Sequence, residues 1–441
     1  MQPDKVLHRS LTWATGMAAM LALTIIGNSL PASAQPKTLD GYIAIAVANN
    51  PRLRSYSLRA EAAEKRIKPA SSLTDPMLMV GVTNVPSDLT FNTDMMTMKE
   101  IGISQMLMVP GKYSLMGTMA EKDHAIALDD YDTKKLELIA SVKMEYYNLY
   151  SMDRSISVMK RSIDLLKDFL KIASTRFETG QGIQQDVLKA QVELTMMNDE
   201  LIRMQTDRNN MAARFNTLLS RAPSDSVEIP DELTRATFGG TLDSLQGEAF
   251  RRNPMILSMQ RMVEKDEAMH QLARRAVIPD FDVKLSYGRR ETIDIPTGMK
   301  ASDMLSASVE MNLPVFFWRK QNLKAEEAEI TVSQSESQLR AVRNEVTQAL
   351  QESLNEIDKD SKLIDLYRSG LIPQATQNLN AGLAGYQVGK IDFMTLVDNF
   401  LLLNKYQLLL NKYQIEYEKV FAEYHKKLAD LEMLTAAKIL P

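Results

Sequence analysis

The chain of 441 residues contains no cysteine. This absence excludes a disulfide framework, a thiolate metal site and a cysteine nucleophile. A strong excess of either charge is also lacking, because the formal net charge is −4. A chain that is not basic lacks the electrostatic footprint of a nucleic-acid-binding protein, so we expect no nucleic-acid partner. A hydrophobic fraction of 45% and a charged fraction of 24% indicate an ordered protein with a large buried area.

Residues and motifs that carry chemistry are equally scarce. Only four histidines occur, and His124, His270 and His425 lie on separate predicted helices without an H-x-x-x-H pair. The sequence PGKYS contains Gly-Lys but lacks the frame of a phosphate-binding loop, and neither G-x-S-x-G nor G-x-G-x-x-G occurs. The sequence therefore predicts that the protein is not an enzyme, with no catalytic residue, no cofactor and no metal site.

Methionine, in contrast, is abundant, with 28 residues. One group surrounds the first predicted strand pair: Met77, Met79, Met95, Met96, Met98, Met106 and Met108. Thioethers are soft ligands that suit Cu(I) or a similar soft ion. Methionine also fills irregular gaps between packed helices. We favour packing or strand surface for this group, and copper or silver binding is the alternative.

Long apolar runs are absent except near the N-terminus. Lys5 and Arg9 precede the run GMAAMLALTIIG, and Ala32-Ser33-Ala34 then gives the A-x-A pattern of a cleavage site. The run is short for a membrane-spanning helix, although a retained anchor is an alternative. We predict a signal peptide at residues 1–34 and export from the cytoplasm.

The remaining chain repeats its own plan. RFETGQGIQQDVLKAQ, which begins at Arg176, matches GYQVGKIDFMTLVDNF, which begins at Gly385, so that Gly180 aligns with Gly389. Asn-Pro pairs and strand-like segments match in the same order, which predicts a duplication of half the protein. The predicted parts are a first repeat at 35–222, a linker at 223–241, a second repeat at 242–434 and a tail at 435–441.

Each repeat predicts a helix, two strands, a very long helix, a break and a last helix. Strict alternation of apolar and polar residues marks FDVKLSY and LSASVEMNL as strands with one apolar and one polar face. The weaker copies in the first half are Met77–Asn84 and Met98–Met108. The lack of proline predicts a helix from about Lys112 to Glu178, roughly 100 Å long. Its counterpart runs from about Lys320 to Gln387, with an interruption near Gly370 and Pro373.

Four strands per chain are too few to close a membrane barrel, because the smallest such barrels use about eight strands. An open sheet in lipid would leave its edges without hydrogen-bond partners. Three chains would together supply twelve strands. The alternative is a soluble helix-plus-sheet protein, but export, duplication and long helices favour a membrane barrel shared between chains.

The two glycine-containing motifs, the NNP and RNP sequences and the turns VPGK and LPVFFWRK together resemble the TolC-like outer-membrane efflux proteins over about residues 38–433. Within that family the chain most resembles the heavy-metal branch, whose members serve cation exporters. The resemblance implies an α+β membrane protein that forms a homotrimer. Its shared twelve-stranded β-barrel lies in outer-membrane lipid and continues as a long α-helical barrel across the periplasm. Gly180, Gly182 and Gly389 would then form the tips where paired helices turn back, since glycine tolerates positive φ.

In this family the periplasmic tips close the pore and open when a pump and an adaptor dock. The resemblance implies that Tyr386 bonds Asp186 on the neighbouring hairpin, and that Asp398 is one of the acidic residues that ring the pore. A negative charge favoured by the dipole at a helix N-terminus is the alternative role of Asp186.

The chain departs from the family at two gate positions. Ile391 stands where a gate-locking arginine is often found, and Thr395 stands at a second acidic ring position. Lys390 and Asp392 are candidate substitutes, and Asp392 also has the helix N-terminus alternative.

The implied function is the passive exit duct of a tripartite efflux system. A periplasmic membrane-fusion adaptor would join it to an inner-membrane pump, predicted to be of the resistance-nodulation-division type. Heavy-metal cations are the leading substrate and drugs are next. Two alternatives remain, a duct for type I protein secretion and a soluble periplasmic coiled-coil adaptor or scaffold.

Overall fold

The computed structural model describes residues 38–230, 242–291 and 302–428. The predicted signal peptide and tail lie outside these residues, as do the last part of the predicted linker and most of the second strand-connecting loop. Within the described ranges, the helices include none that combines the length and the apolar character needed to cross a membrane.

Both halves of the chain contain the same series of elements. The first half contains α1 (Leu39–Asn49), α2 (Pro51–Ser71), β1 (Met77–Thr83), β2 (Met98–Leu107), α3 (Lys112–Glu178) and α4 (Gln184–Leu218). The second half contains α5 (Leu242–Arg252), α6 (Pro254–Arg275), β3 (Phe281–Arg290), β4 (Met304–Met311), α7 (Gln321–Asp365), a π-helical segment (Leu366–Leu371), α8 (Ile372–Gln387) and α9 (Phe393–Leu428). The π-helical segment contains Gly370 and precedes Pro373, whose missing N–H disturbs the regular helical ladder there.

The Asn-Pro pairs start α2 and α6. The side-chain oxygen of Asn50 accepts backbone hydrogen bonds from the first helical turn at 3.0 and 3.1 Å, and that of Asn253 accepts one at 3.0 Å. Proline fits the first helical position because its missing N–H would have no partner there. The Asn50 amide also donates to the carbonyl of Leu218 at 3.4 Å, and the Asn253 amide donates to that of Lys427 at 2.8 Å. Each pair therefore ties one helix to the last helix of its own half.

The four strands form one antiparallel sheet in the order β1-β2-β3-β4. One row of facing residues across the sheet is Val80, Ile101, Tyr287 and Leu305, and the next row is Met79, Gly102, Ser286 and Ser306. Since successive side chains point to opposite faces, one face is apolar and the other carries small and polar side chains together with several methionines. The alternation predicted from the sequence is confirmed. In the described part of the chain, β1 and β4 each have a neighbour on one side only.

The helices continue from the sheet as an open layer. In the half near the sheet, α2 packs on α3, α3 on α6, and α6 on α7. In the far half, α4 packs on α3, α3 on α9, and α9 on α7 and α8. The layer therefore has one edge formed by α2 and α4 and another formed by α7 and α8, which continue the edges formed by β1 and β4.

Buried apolar side chains hold this layer together. Apolar side chains spaced three and four residues apart along α7 and α9 form a packing seam, in which Leu350, Ile357, Tyr417 and Tyr424 are buried. A separate cluster at the far end joins α3, α4, α8 and α9 and includes Phe169 and Phe400, whose ring centroids are 5.6 Å apart. This cluster fixes the two pairs of helices that carry the candidate site.

Candidate gate at the helical turns

The chain reverses direction twice at the end of the layer farthest from the sheet. The first hairpin, α3 and α4, reverses at residues 179–183 (the first turn), and the second hairpin, α8 and α9, reverses at residues 388–392 (the second turn). Gly180 and Gly389 have φ values of 71° and 73°. In both turns the glycine N–H donates to the carbonyl three residues back at 3.0 Å, and the next N–H donates to the carbonyl five residues back at 2.8 Å. The two turns therefore share one backbone design, which satisfies the last helical carbonyls and needs a left-handed residue.

Gly182 has a different role from the other two predicted tip glycines. Unlike Gly180 and Gly389, it does not have a positive φ, so its backbone conformation does not require glycine. A Cβ at Gly182 would instead lie 3.1 Å from the Cβ of Arg176. In the second turn, a Cβ at Gly385 would lie 3.4 Å from Cγ2 of Ile391. Gly385 aligns with Arg176 and Ile391 with Gly182, so the large and small partners are exchanged between the turns.

Tyr386 and Asp186 lie on different hairpins, and the structure brings them together. The Tyr386 hydroxyl donates to Oδ2 of Asp186 at 3.0 Å. The tyrosine is 2% exposed, and its ring packs on Phe393 at a centroid distance of 5.3 Å. Burial and the hydrogen bond to Asp186 raise the pKa of the Tyr386 phenol well above its usual value. The phenol therefore stays protonated and remains a donor to the carboxylate.

Arg176 also joins the two hairpins, and the sequence reasoning did not identify it. Its Nη1 donates to the carbonyl of Tyr386 and, at 2.7 Å, to that of Gln387, while Nη2 donates to the carbonyl of Gln181 at 2.9 Å. Its guanidinium carbon lies 4.9 Å from the centroid of the Tyr386 ring. The feature of the sequence that points to Arg176 is the first position of the repeated motif, where the first copy has arginine and the second copy has glycine.

The other predicted site residues are not part of this connection. Asp392 accepts a hydrogen bond from the backbone N–H of Thr395 at 2.7 Å, and this bond lowers the pKa of the Asp392 carboxyl. Asp392 therefore caps α9. Lys390 and Asp398 are exposed, and their side chains form no hydrogen bond or ion pair within the described chain. Ile391 packs into the apolar cluster at the far end.

The predicted methionine group lies mainly on and beside the sheet. The strand register places Met77, Met79, Met98 and Met106 on the face that carries the polar side chains. Met95 and Met96 are exposed in the loop that connects β1 and β2. Among the described residues, no three or more His, Asp or Glu side chains form a group that could hold a metal ion. The location fits strand surface.

Comparison with known proteins agrees with this architecture. The profile of the family described as outer membrane efflux protein matches residues 42–221 and 245–418. The cobalt-zinc-cadmium resistance protein CzcC of Cupriavidus metallidurans is 21% identical over 367 residues, covering 83% of this chain and 84% of CzcC. The outer membrane efflux protein BepC of Brucella suis is 19% identical over 360 residues, covering 80% of this chain and 76% of BepC. The outer membrane protein VceC of Vibrio cholerae has a TM-score of 0.75 at 15% identity, covering 89% of this chain and 96% of VceC.

The matched segments include both hairpins, both turns and all four strands. They also cover the Asn-Pro caps and most of α9. With the family profile matching well over half of its residues, the chain belongs to the outer membrane efflux protein family.

Proposed function

We propose that three copies of this chain form an exit duct across the outer membrane and the periplasm. The observation that carries this proposal is the open edge on each side of the chain. Over the described ranges of the chain, the sheet ends at β1 and β4, and the helical layer ends at α2 and α4 on one side and at α7 and α8 on the other. An open sheet in lipid would leave backbone donors and acceptors unpaired, so pairing of β1 with β4 of the next copy completes the structure.

The strands fit a shared barrel in lipid. They contain 7 to 10 residues, close to the 9–11 or so that a tilted strand needs to cross the bilayer. Three copies supply twelve strands, and the apolar row through Val80 and Ile101 then faces lipid. The aromatic residues Phe316, Phe317 and Trp318 are exposed just beyond β4, where they suit the membrane interface.

The edge of the helical layer has the apolar character of a contact between copies. Leu188, Val192, Met196 and Ile202 follow each other along α4, and each is more than half exposed in the single chain. At about 100° per residue, steps of four, four and six residues keep all four within about 120° around the helix axis, so they lie along one side of the helix. We assign this side of α4 to the edge of the next copy formed by α8 and the π-helical segment, which carries the exposed Leu366.

The two turns would lie at the periplasmic end and form the gate. The Tyr386–Asp186 hydrogen bond holds the second hairpin against the first. Docking of a periplasmic adaptor and an inner-membrane pump, for which we propose the resistance-nodulation-division type, would separate the hairpins. Export through a signal peptide at residues 1–34 would place the chain in the outer membrane.

The proposed substrates are heavy-metal cations. The support is the similarity to CzcC, which is named for resistance to cobalt, zinc and cadmium. Deletion of the gene in its source organism should lower tolerance to these ions, and the chain supplied in trans should restore it. If metal tolerance is unchanged and the deletion instead causes sensitivity to drugs or loss of a secreted protein, the duct conducts drugs or that protein and not metal cations.

Envelope fractionation tests the duct itself. The full chain is expressed in a Gram-negative host, and the outer-membrane fraction is run on SDS gels with and without heating. We expect a heat-labile trimer in that fraction, and Val192→Glu with Met196→Glu should weaken it by burying charge between copies. A soluble periplasmic monomer would overturn the proposal.

A further inference from the structure

We propose that Arg176 is a lock of the closed gate, provided by the first hairpin in place of the arginine absent at Ile391. This inference rests on the proposed function, because it assigns a regulatory residue to the same gate. The lock holds the end of α8 against the first turn, and the two hairpins separate only when it releases.

The side chain of Arg176 bonds two segments of backbone outside its own helix. Its guanidinium reaches the carbonyls of Tyr386 and Gln387, at the end of α8, and the carbonyl of Gln181, in the first turn. These acceptors belong to different hairpins. One side chain therefore spans the boundary across which the gate would open.

The position suits a guanidinium for two physical reasons. The last carbonyls of a helix lack helical partners and carry partial negative charge, so a cation at the end of α8 is favoured. The planar fork of arginine offers several donors in fixed directions, which an ammonium group does not. The guanidinium also lies over the ring of Tyr386, so the arginine and the Tyr386–Asp186 hydrogen bond act on the same residue.

Of the two turns, only the first has space for a lock of this kind. Glycine at 182 leaves room beneath the Arg176 side chain, and a Cβ at Gly389 would lie 3.4 Å from its Nη2. In the second turn the matching positions are Gly385 and Ile391, which offer no donor toward the first hairpin. Each chain therefore has one lock of this kind, directed from the first hairpin to the second.

The first test compares charge-matched variants in planar bilayers. Arg176→Gln should raise the open-to-closed ratio about tenfold, which corresponds to about 1.4 kcal/mol. Arg176→Lys should give an intermediate increase, since it keeps the charge but loses the fork. The control Lys171→Gln removes a charge from an exposed site on the same helix that has no bond to the second hairpin, and should leave the ratio unchanged.

A distance measurement separates a lock from a general loss of structure. Because the chain has no cysteine, Gln181→Cys with Gln387→Cys can carry two spin labels, and both substitutions keep the backbone carbonyls that Arg176 uses. Double electron–electron resonance should show that the shortest distance between spin labels increases in Arg176→Gln and stays unchanged in Lys171→Gln. The heat-labile trimer on SDS gels should persist in every variant.

The outcomes distinguish the lock from the duct. Ion conduction by the wild-type trimer, with Arg176→Gln indistinguishable from Lys171→Gln in conductance and label distance, would overturn the lock and leave the duct intact. A wild-type chain that forms no trimer and conducts no ions would overturn the duct itself. If the open-to-closed ratio rises and the distance between labels increases in Arg176→Gln but not in Lys171→Gln, the lock is established.

Discussion

The first and second turns have the same backbone and different side chains. Both have a left-handed glycine and the same pair of helix-ending hydrogen bonds. Phe177 and Tyr386 occupy matching positions, yet Phe177 is 46% exposed and Tyr386 is 2% exposed. The duplicated backbone therefore sets where the chain turns, and the diverged side chains decide which hairpin holds the other.

The exchange of roles extends around both turns. In the first turn the side chain of Arg176 lies over Gly182, and in the second turn the matching residues are Gly385 and Ile391. The glycine and the large side chain have therefore exchanged places. Ile183 directly precedes the helix after the first turn and provides no side-chain cap, whereas the matching Asp392 caps its helix. Hydrogen-bond donors on each hairpin now face acceptors on the other hairpin. The two copies of one turn have therefore become complementary surfaces.

The largest effect is expected from valine at the two left-handed glycines. Gly180→Val and Gly389→Val each place a β-branched residue at positive φ, at a cost of about 1–2 kcal/mol or more. A Cβ at Gly180 has nothing within 4 Å, whereas one at Gly389 approaches Arg176. Hydrogen exchange should show loosening of each altered turn, but only Gly389→Val should raise conductance. Equal conductance in both variants would remove the proposed difference between the turns.

A smaller effect is expected from the hydrogen bond between the hairpins. Tyr386→Phe with Asp186→Ala removes both partners of this bond and leaves neither unpaired, so the expected net loss is about 0.5–1.5 kcal/mol. The double variant should raise single-channel conductance by favouring the open gate. The matched control is Phe177→Leu, which changes the exposed counterpart of Tyr386 and should leave conductance unchanged. If the double variant also conducts like wild type, these two residues are not gate elements.

The sequence predicted the backbone of the gate better than its side-chain contacts. Alternation and the scarcity of proline located the four strands and long helices, the family resemblance is confirmed, and family membership confirms that the chain is not an enzyme. Arg176 was missed because its acceptors are main-chain carbonyls, which carry no residue signature, and the two on the second hairpin lie about 210 residues away along the chain. Gly182 was grouped with the turn glycines because close packing and positive φ both select glycine. Roles of individual residues in gating remain predictions.

A more local effect is expected from exchanging the helix caps. Asp392→Ala should reduce hydrogen-exchange protection at the start of α9, and Ile183→Asp should increase it at the start of α4, because a side-chain acceptor at this position bonds a backbone N–H of the first helical turn. The hydrogen bond to Thr395 N–H keeps the pKa of Asp392 below its ordinary value. Its contribution is therefore complete above an ordinary carboxyl pKa of about 4 and is lost as the pH falls through the lowered value.

The difference in protection between wild type and Asp392→Ala should therefore persist at neutral pH and disappear only below the ordinary pKa of a carboxyl group. Gating should change little, because the Asp392 cap lies within the second hairpin. A large rise in conductance from Asp392→Ala would assign Asp392 to the gate instead of the cap.

The smallest effect on gating is expected from Asp398 and its repeat counterpart, Lys189. Lys189 forms an ion pair with Glu193 at 2.6 Å, whereas Asp398 is exposed without such a partner in the described chain. If three copies of Asp398 ring the pore, Asp398→Asn should lower the preference for cations in bilayer reversal potentials without changing the open-to-closed ratio. This loss should fade in 1 M salt, where the screening length falls to about 3 Å. Lys189→Gln changes the charge by one unit in the opposite direction and should leave selectivity unchanged, so responses of equal size in the two variants would place Asp398 outside the pore.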